Sequence, residues 1–321
     1  MAHFYEFSLR AAKALLGLST ILVHTGFYED ALQHLASVSN AAPSPSLQAQ
    51  TSLLRAESCL RLNRYDLAVT ELEAARCGFA LLGDSSGEIE AERIRNTVLR
   101  DRGLHVEAVL QAQHLVQRAR AGRVQPLTLA GCLRSLSRSL ALTHQINDAL
   151  AAAQEALDIA SVVGSIRARG NAQLAFGEAY RHGFNLEEAS SRYRLAIRDA
   201  ESISNRDSLL WASLGLADTL VLQNRAEDAR RILTELGDVV AGAGERYPLE
   251  HLHWLLSVRT VDFLLGGCTP DQLRSITMGY RSMGIEWPEE YVETVLAVSS
   301  HLPAKRMVFV YQPERPLKLV V

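Results

Sequence analysis

The feature that most restricts how this chain can fold is a segment that returns about every forty residues. GFYEDAL, NRYDLAV, GLHVEAV, HQINDAL, FNLEEAS and NRAEDAR each set a turn, acidic or polar residues and an alanine in the same order. The alanines are Ala31, Ala68, Ala108, Ala149, Ala189 and Ala229, so successive intervals are 37, 40, 41, 40 and 40 residues. A fixed period of this size marks a stack of like supersecondary units, because no single unit can bury its own apolar face.

Each turn lies between two stretches with apolar residues at i, i+3, i+4 and i+7, the pattern of amphipathic helices. The unit is therefore a helical hairpin. In the fifth unit, FGEAYRHGFNLEEASSRYRLAI, the first helix (A) is expected over roughly 165 to 182 and the second (B) over roughly 185 to 203. Gly177 lets the two helices approach, Ala189 is the small residue where B begins, and Tyr180 and Tyr193 fill the space around them.

On these residues the units resemble tetratricopeptide repeats. The fifth matches best, through Gly177, Tyr180, Ala189, Tyr193 and Ala196; the second keeps Ala56, Ala68 and Ala75, and the fourth keeps Ser137, Ala149, Ala153 and Ala156. The sixth keeps Ala217 and Ala229, with Leu233 and Leu236 later. The usual period is about 34 residues, so forty implies a B helix longer by about a turn and a half. FALLGDSSGEIEAE, residues 79 to 92, is similar to linkers of the forty-residue subclass found in signalling scaffolds and bacterial regulators.

The resemblance covers about residues 12 to 240 and implies an all-α, right-handed superhelical solenoid. About seven hairpins are expected: six over 1–240, then a divergent seventh (HLHWLLSVRTVDFLLGG and PDQLRSITMGY) with a capping helix, WPEEYVETVLAVSSHL, over 241–302. The end, 303–321, is punctuated by prolines around the β-prone MVFVY and LKLVV, and is expected to be an extended tail that packs on another surface.

Composition narrows the function. With 321 residues, 48% hydrophobic and 21% charged, the chain can bury a substantial core, and a net charge of -3 argues against a generally basic nucleic-acid binder. Arg10 and Lys13 precede the apolar run ALLGLSTILV, which imitates a signal peptide, but no small-residue cleavage site follows and the helical pattern continues. A cytoplasmic protein is expected, with no stretch reaching the roughly 18 apolar residues of a membrane span. Cys59, Cys77, Cys132 and Cys268 form no CxxC pair and are expected to be reduced, buried thiols.

Signatures of chemistry are weak. Gly83-Asp84-Ser85-Ser86-Gly87 is superficially like a hydrolase nucleophile loop, yet falls where two hairpins join, where such residues stop one helix and cap the next. His251 and His253 are two apart on an expected helix and so face different ways, without the four-residue spacing of a helical metal pair. No catalytic residue, metal ligand or cofactor is assigned.

The repeat register instead points to a binding surface. In tetratricopeptide arrays helix A lines the concave face, and the matching positions are Leu53, Leu54, Glu57 and Arg61, then Glu90, Arg93, Thr97 and Arg100. They continue with Arg134, Ser135 and Arg138, then Asn171, Leu174, Glu178 and Arg181, and finally Trp211, Leu214 and Asp218. Arg93, Arg100, Arg134 and Arg138 converge at the centre, while Glu57 and Asp218 lie toward the two ends. These arginines either receive an acidic peptide segment or are neutralised by Glu90, Asp101 and Glu178. The Lys/Asn clamp with which chaperone-binding members hold a C-terminal carboxylate is not reproduced. Trp211 either anchors an apolar residue of the ligand or packs between hairpins, and Trp254 is expected in the core.

Two functions follow from this groove. One is a non-catalytic scaffold that holds a segment of a partner protein or peptide; the other is a sensory module whose curvature answers to a peptide or small ligand.

Overall fold

The computed structural model describes residues 2–40, 44–122, 124–241, 248–281, 292–293 and 295–296, and among them there are helices and no strands. Helices α1 (Ala2–Thr25) and α2 (Tyr28–Asn40) form the first hairpin, and α3 (Pro45–Arg61) and α4 (Tyr65–Leu82) the second. The next are α5 (Ser85–Asp101) with α6 (His105–Ala121), and α7 (Pro126–Leu142) with α8 (Ile146–Val163). Then come α9 (Ile166–His182) with α10 (Leu186–Ser202), and α11 (Arg206–Leu222) with α12 (Ala226–Ala241). In the seventh unit α13 (Pro248–Leu264) faces two short pieces, α14 (Pro270–Ser275) and α15 (Thr277–Arg281).

The turns explain the period. Each passage from an A helix to the element after it contains one residue with positive φ: Gly26, Asn63, Gly103, His144, Phe184, Asn224 and Gly266. This left-handed residue lets the following amide reach back to the last helical turn. Arg64 N–H donates to Cys59 O at 2.8 Å, Asn185 N–H to Tyr180 O at 2.9 Å, and Gly267 N–H to Asp262 O at 2.8 Å. The alanine that recurs after the turn has no exposed surface in any of the six hairpins, from Ala31 to Ala229. The first turn of each B helix therefore presses so closely on its A helix that nothing larger than a methyl group fits.

Two expectations about the helices are corrected. From α3 to α12 the arms are matched, 17 residues in each A helix against 16 to 18 in each B helix, so the long period is carried by both arms and not by B alone. Gly177 does not admit the backbone of α10; it faces the ring of Tyr193, which would lie 2.8 Å from a Cβ there. Gly215 on α11 faces the same ring from the next hairpin, with the corresponding approach 2.5 Å. Tyr193 is thus a buried wedge between successive A helices, while Tyr180 is half-buried and stacks on Phe176.

Other local readings hold. Gly83 ends α4 in the left-handed conformation, and the Asp84 side chain caps α5 by accepting from Gly87 N–H at 3.0 Å. Trp254 packs beside Gly237 and donates to Leu233 O at 2.8 Å. All four cysteines are unpaired thiols, but Cys77 is exposed, because Leu72, Ala75 and Phe79 form the buried stripe of α4 and Cys77 lies off it. No helix among the described residues is long and apolar enough to cross a membrane. Of the expected capping helix, Val292 and Val295 are helical and buried with Leu273, Ile276 and Tyr280. The expected extended tail, 303–321, lies outside the described residues.

Small rotations between successive hairpins add up until the sixth unit meets the first two. Arg206 of α11 lies over Gly26, 3.7 Å from where its Cβ would stand, and Arg167 of α9 donates to His24 O at 3.4 Å. Arg61 at the end of α3 pairs with Asp207 in the first turn of α11 at 3.3 Å. The concave face is accordingly not an open groove with separate ends.

Candidate ligand channel

Closure leaves a central channel of about 1120 Å³ along the A helices. Arg93, Thr97, Arg100, Arg134, Arg138, Asn171, Arg181 and Trp211 all line it. Glu57, Arg61, Leu174, Glu178, Leu214 and Asp218 join them, whereas Leu53 and Leu54 pack into the apolar clusters between hairpins and Ser135 is buried away from the lumen. One face of each A helix is turned to the lumen because burial of the other faces fixes it.

Most of the polar lining is paired within the wall. The Arg93 fork grips Glu90, with Nε 2.8 Å from Oε2, and its stem lies 3.1 Å from where a Cβ would stand on Gly131. Arg138 donates to both oxygens of Glu178 at 2.6 and 2.8 Å. Burial disfavours charge on Arg93, Arg138 and Glu90. Even so, each fork outweighs it: Arg93 and Arg138 are held above the usual arginine range, and Glu90 below the usual carboxylate range. Arg100 donates to Thr97 Oγ1 at 3.0 Å, and Arg181 Nε to the Tyr193 hydroxyl at 3.3 Å. Asn171 accepts from Ser208 at 3.2 Å, and the Trp211 indole donates to Asp207 at 3.1 Å.

Arg134 is different. Among the described residues no carboxylate pairs with it, and burial followed by the charges of Arg93, Arg138, Arg100 and Arg61 pushes its pKa down to about 9. At the α11 and α13 side the electrostatics reverse. Burial raises the Asp218 carboxyl to about 6 against the pull of Arg181, and lowers His253 to about 4. His253 Nδ1 shares a hydrogen bond with the Tyr280 hydroxyl at 3.0 Å, and its ring meets Trp211 edge-on with centroids 5.4 Å apart. His251, on the other side of α13, packs beside Trp254 instead.

Sequence reasoning missed His24, Tyr28, Arg167, Asp207 and His253. Arg167 and Asp207 could have been found: they precede Asn171 and Trp211 by four residues, one helical turn back along the same stripe. His24 and Tyr28 belong to the first unit, from which no lining positions were read, and His253 comes from the divergent seventh, where the repeat gives no register.

No protein-family model and no curated protein sequence matches the chain. Solved structures do. A Rap protein complexed with competence and sporulation factor superposes with a TM-score of 0.61 at 12% identity, covering 89% of this chain and 80% of that one. Aspartyl phosphate phosphatase F from Bacillus subtilis gives 0.52 at 13% identity over 83% of this chain and 73% of that one. At this identity the likeness bears on fold alone, and with the hairpins, turns and buried alanines it establishes a helical-repeat solenoid of the tetratricopeptide type.

Proposed function

We propose that this chain is a non-catalytic, cytoplasmic binding protein that takes a short segment of a partner protein or peptide into its central channel. The observation that carries the reading is the closure of the superhelix around a lumen of about 1120 Å³. That exceeds the roughly 300 to 1,000 Å³ of most small-molecule pockets and suits a peptide of a few residues better than a folded domain. The wall groups favour holding over reacting, since Glu90, Glu178 and Asp207 are already engaged by arginines. The arginines of α5 and α7 suit an acidic segment, with Trp211 beside it.

A regulatory version of the same reading is favoured by one contact. Arg61 and Asp207 join the second hairpin to the sixth where the ring closes, so an occupant that bears on this contact would bind a closed and an opened ring with different affinities. That the similar Rap protein was solved with competence and sporulation factor accords with a ligand-holding solenoid.

Capture from the native cell followed by mass spectrometry tests the proposal, with Thr97→Trp as a variant that fills the lumen. A segment retained by the wild type and lost from a normally helical Thr97→Trp supports it; equal capture by both moves the binding surface outside the channel. A change in small-angle scattering on adding the captured segment would support regulation, and an unchanged profile would leave the scaffold.

A further inference from the structure

We propose that the channel contains a discrete oxyanion subsite on the Arg134 guanidinium, which takes a carboxylate or phosphate group of the bound molecule. This rests on the channel being the binding site and narrows it to one chemical group at one residue.

Among the described residues no carboxylate of the wall forms an ion pair with Arg134. Intervals of 41 and 40 residues align Arg134 with Arg93 one repeat earlier and Leu174 one repeat later. Along α7 its neighbours at three and four residues are Ala130, Gly131, Ser137 and Arg138. None is acidic. Arg138 shows what an acidic neighbour does, since Glu178 lies forty residues on and takes its fork in two hydrogen bonds. Glu90 senses the charge of Arg134, but its oxygens are turned to Arg93.

Arg134 lines the channel and is half-buried, so its fork meets the lumen while its charge sits in a poorly solvated wall. A cation there is costly unless an anion joins it. Its pKa, though lowered to about 9, leaves it charged at neutral pH, so it does not escape by losing a proton. A planar fork with donors unused matches two oxygens of a carboxylate or phosphate. Arg93 and Arg138, whose charges act on Arg134, spend Nε and Nη2 on their glutamates.

The test uses the full chain at constant ionic strength, with inorganic phosphate and acetate as probes against a chloride background. Either anion should raise the melting temperature of the wild type saturably, and the one effective at lower concentration names the group. Arg134→Met and Arg134→Gln should weaken that response at least tenfold, as loss of a charged hydrogen bond requires. Both variants should melt no lower than the wild type in the absence of the anion, because they remove a charge that has no partner. The proposal is overturned if neither anion acts saturably, if the variants respond like the wild type, or if both melt lower without anion. Loss of partner capture by Thr97→Trp without any anion effect would keep the channel reading and remove only this subsite.

Discussion

Gly215→Ala tests whether one aromatic ring sets the spacing of successive hairpins. The added Cβ would stand 2.5 Å from Tyr193 Cε1 and 2.6 Å from Cζ, where ordinary contacts begin at 3.4 Å. The ring would have to retreat by about 1 Å, and strain of that kind costs about 1 to 3 kcal/mol. It has nowhere to go. Tyr193 is fully buried, a Cβ at Gly177 would also stand 2.8 Å from its ring, and its hydroxyl accepts from Arg181. Against this, alanine is a better helix former than glycine by about 0.5 to 1 kcal/mol. The net expectation is a loss of about 1 to 2 kcal/mol. Gly17→Ala is the matched control: Gly17 is also inside a helix, with nothing within 4 Å of the added methyl, so only the helix term acts and stability should rise. Urea unfolding followed by far-UV circular dichroism measures both, and Tyr193→Leu in the Gly215→Ala chain should recover about 1 kcal/mol of coupling. If Gly215→Ala is as stabilising as Gly17→Ala, Tyr193 is not a wedge and the packing argument fails.

Arg61→Ala should loosen the ring by leaving Asp207 without its guanidinium, at a cost of about 1 to 3 kcal/mol after allowing for partial exposure, and scattering should show an enlarged radius of gyration. An unchanged radius would mean that the other closing contacts suffice. Burial holds His253 near 4 against 6.5 for a free histidine, so below pH 6.5 the unfolded chain binds the proton first and stability falls until about pH 4. At pH 5 this amounts to about 2 kcal/mol, and His253→Gln should flatten that part of the melting curve against pH; an identical slope refutes it. Asp218 has the opposite sign: its carboxyl is raised to about 6, so its folded-state advantage is present at low pH and lost as pH rises through 6. Asp218→Asn should therefore raise stability at pH 7 by about 1 to 3 kcal/mol and lose that gain below about pH 4, which a melting series in both buffers would reveal.

Whatever is local or repeats could be read from the residues alone. The interval between alanines announced the hairpins, since each alanine marks the same close helix contact, and the apolar stripes left one face of each A helix for the channel. The Arg138–Glu178 pair was readable too, because residues one period apart face each other on adjacent A helices. Tertiary structure decided the rest. Closure depends on small rotations summed over six units, which no single repeat encodes, and it brings together Arg61 and Asp207 from opposite ends of the array. It also turned an exposed groove into a channel, where burial separates the arginines that have found a carboxylate from Arg134, which has not. Helical periodicity can say which side chains share a face. Only the completed ring sets how far each is removed from water, and that distance decides whether a charge is an ordinary surface group or a site awaiting its counter-ion.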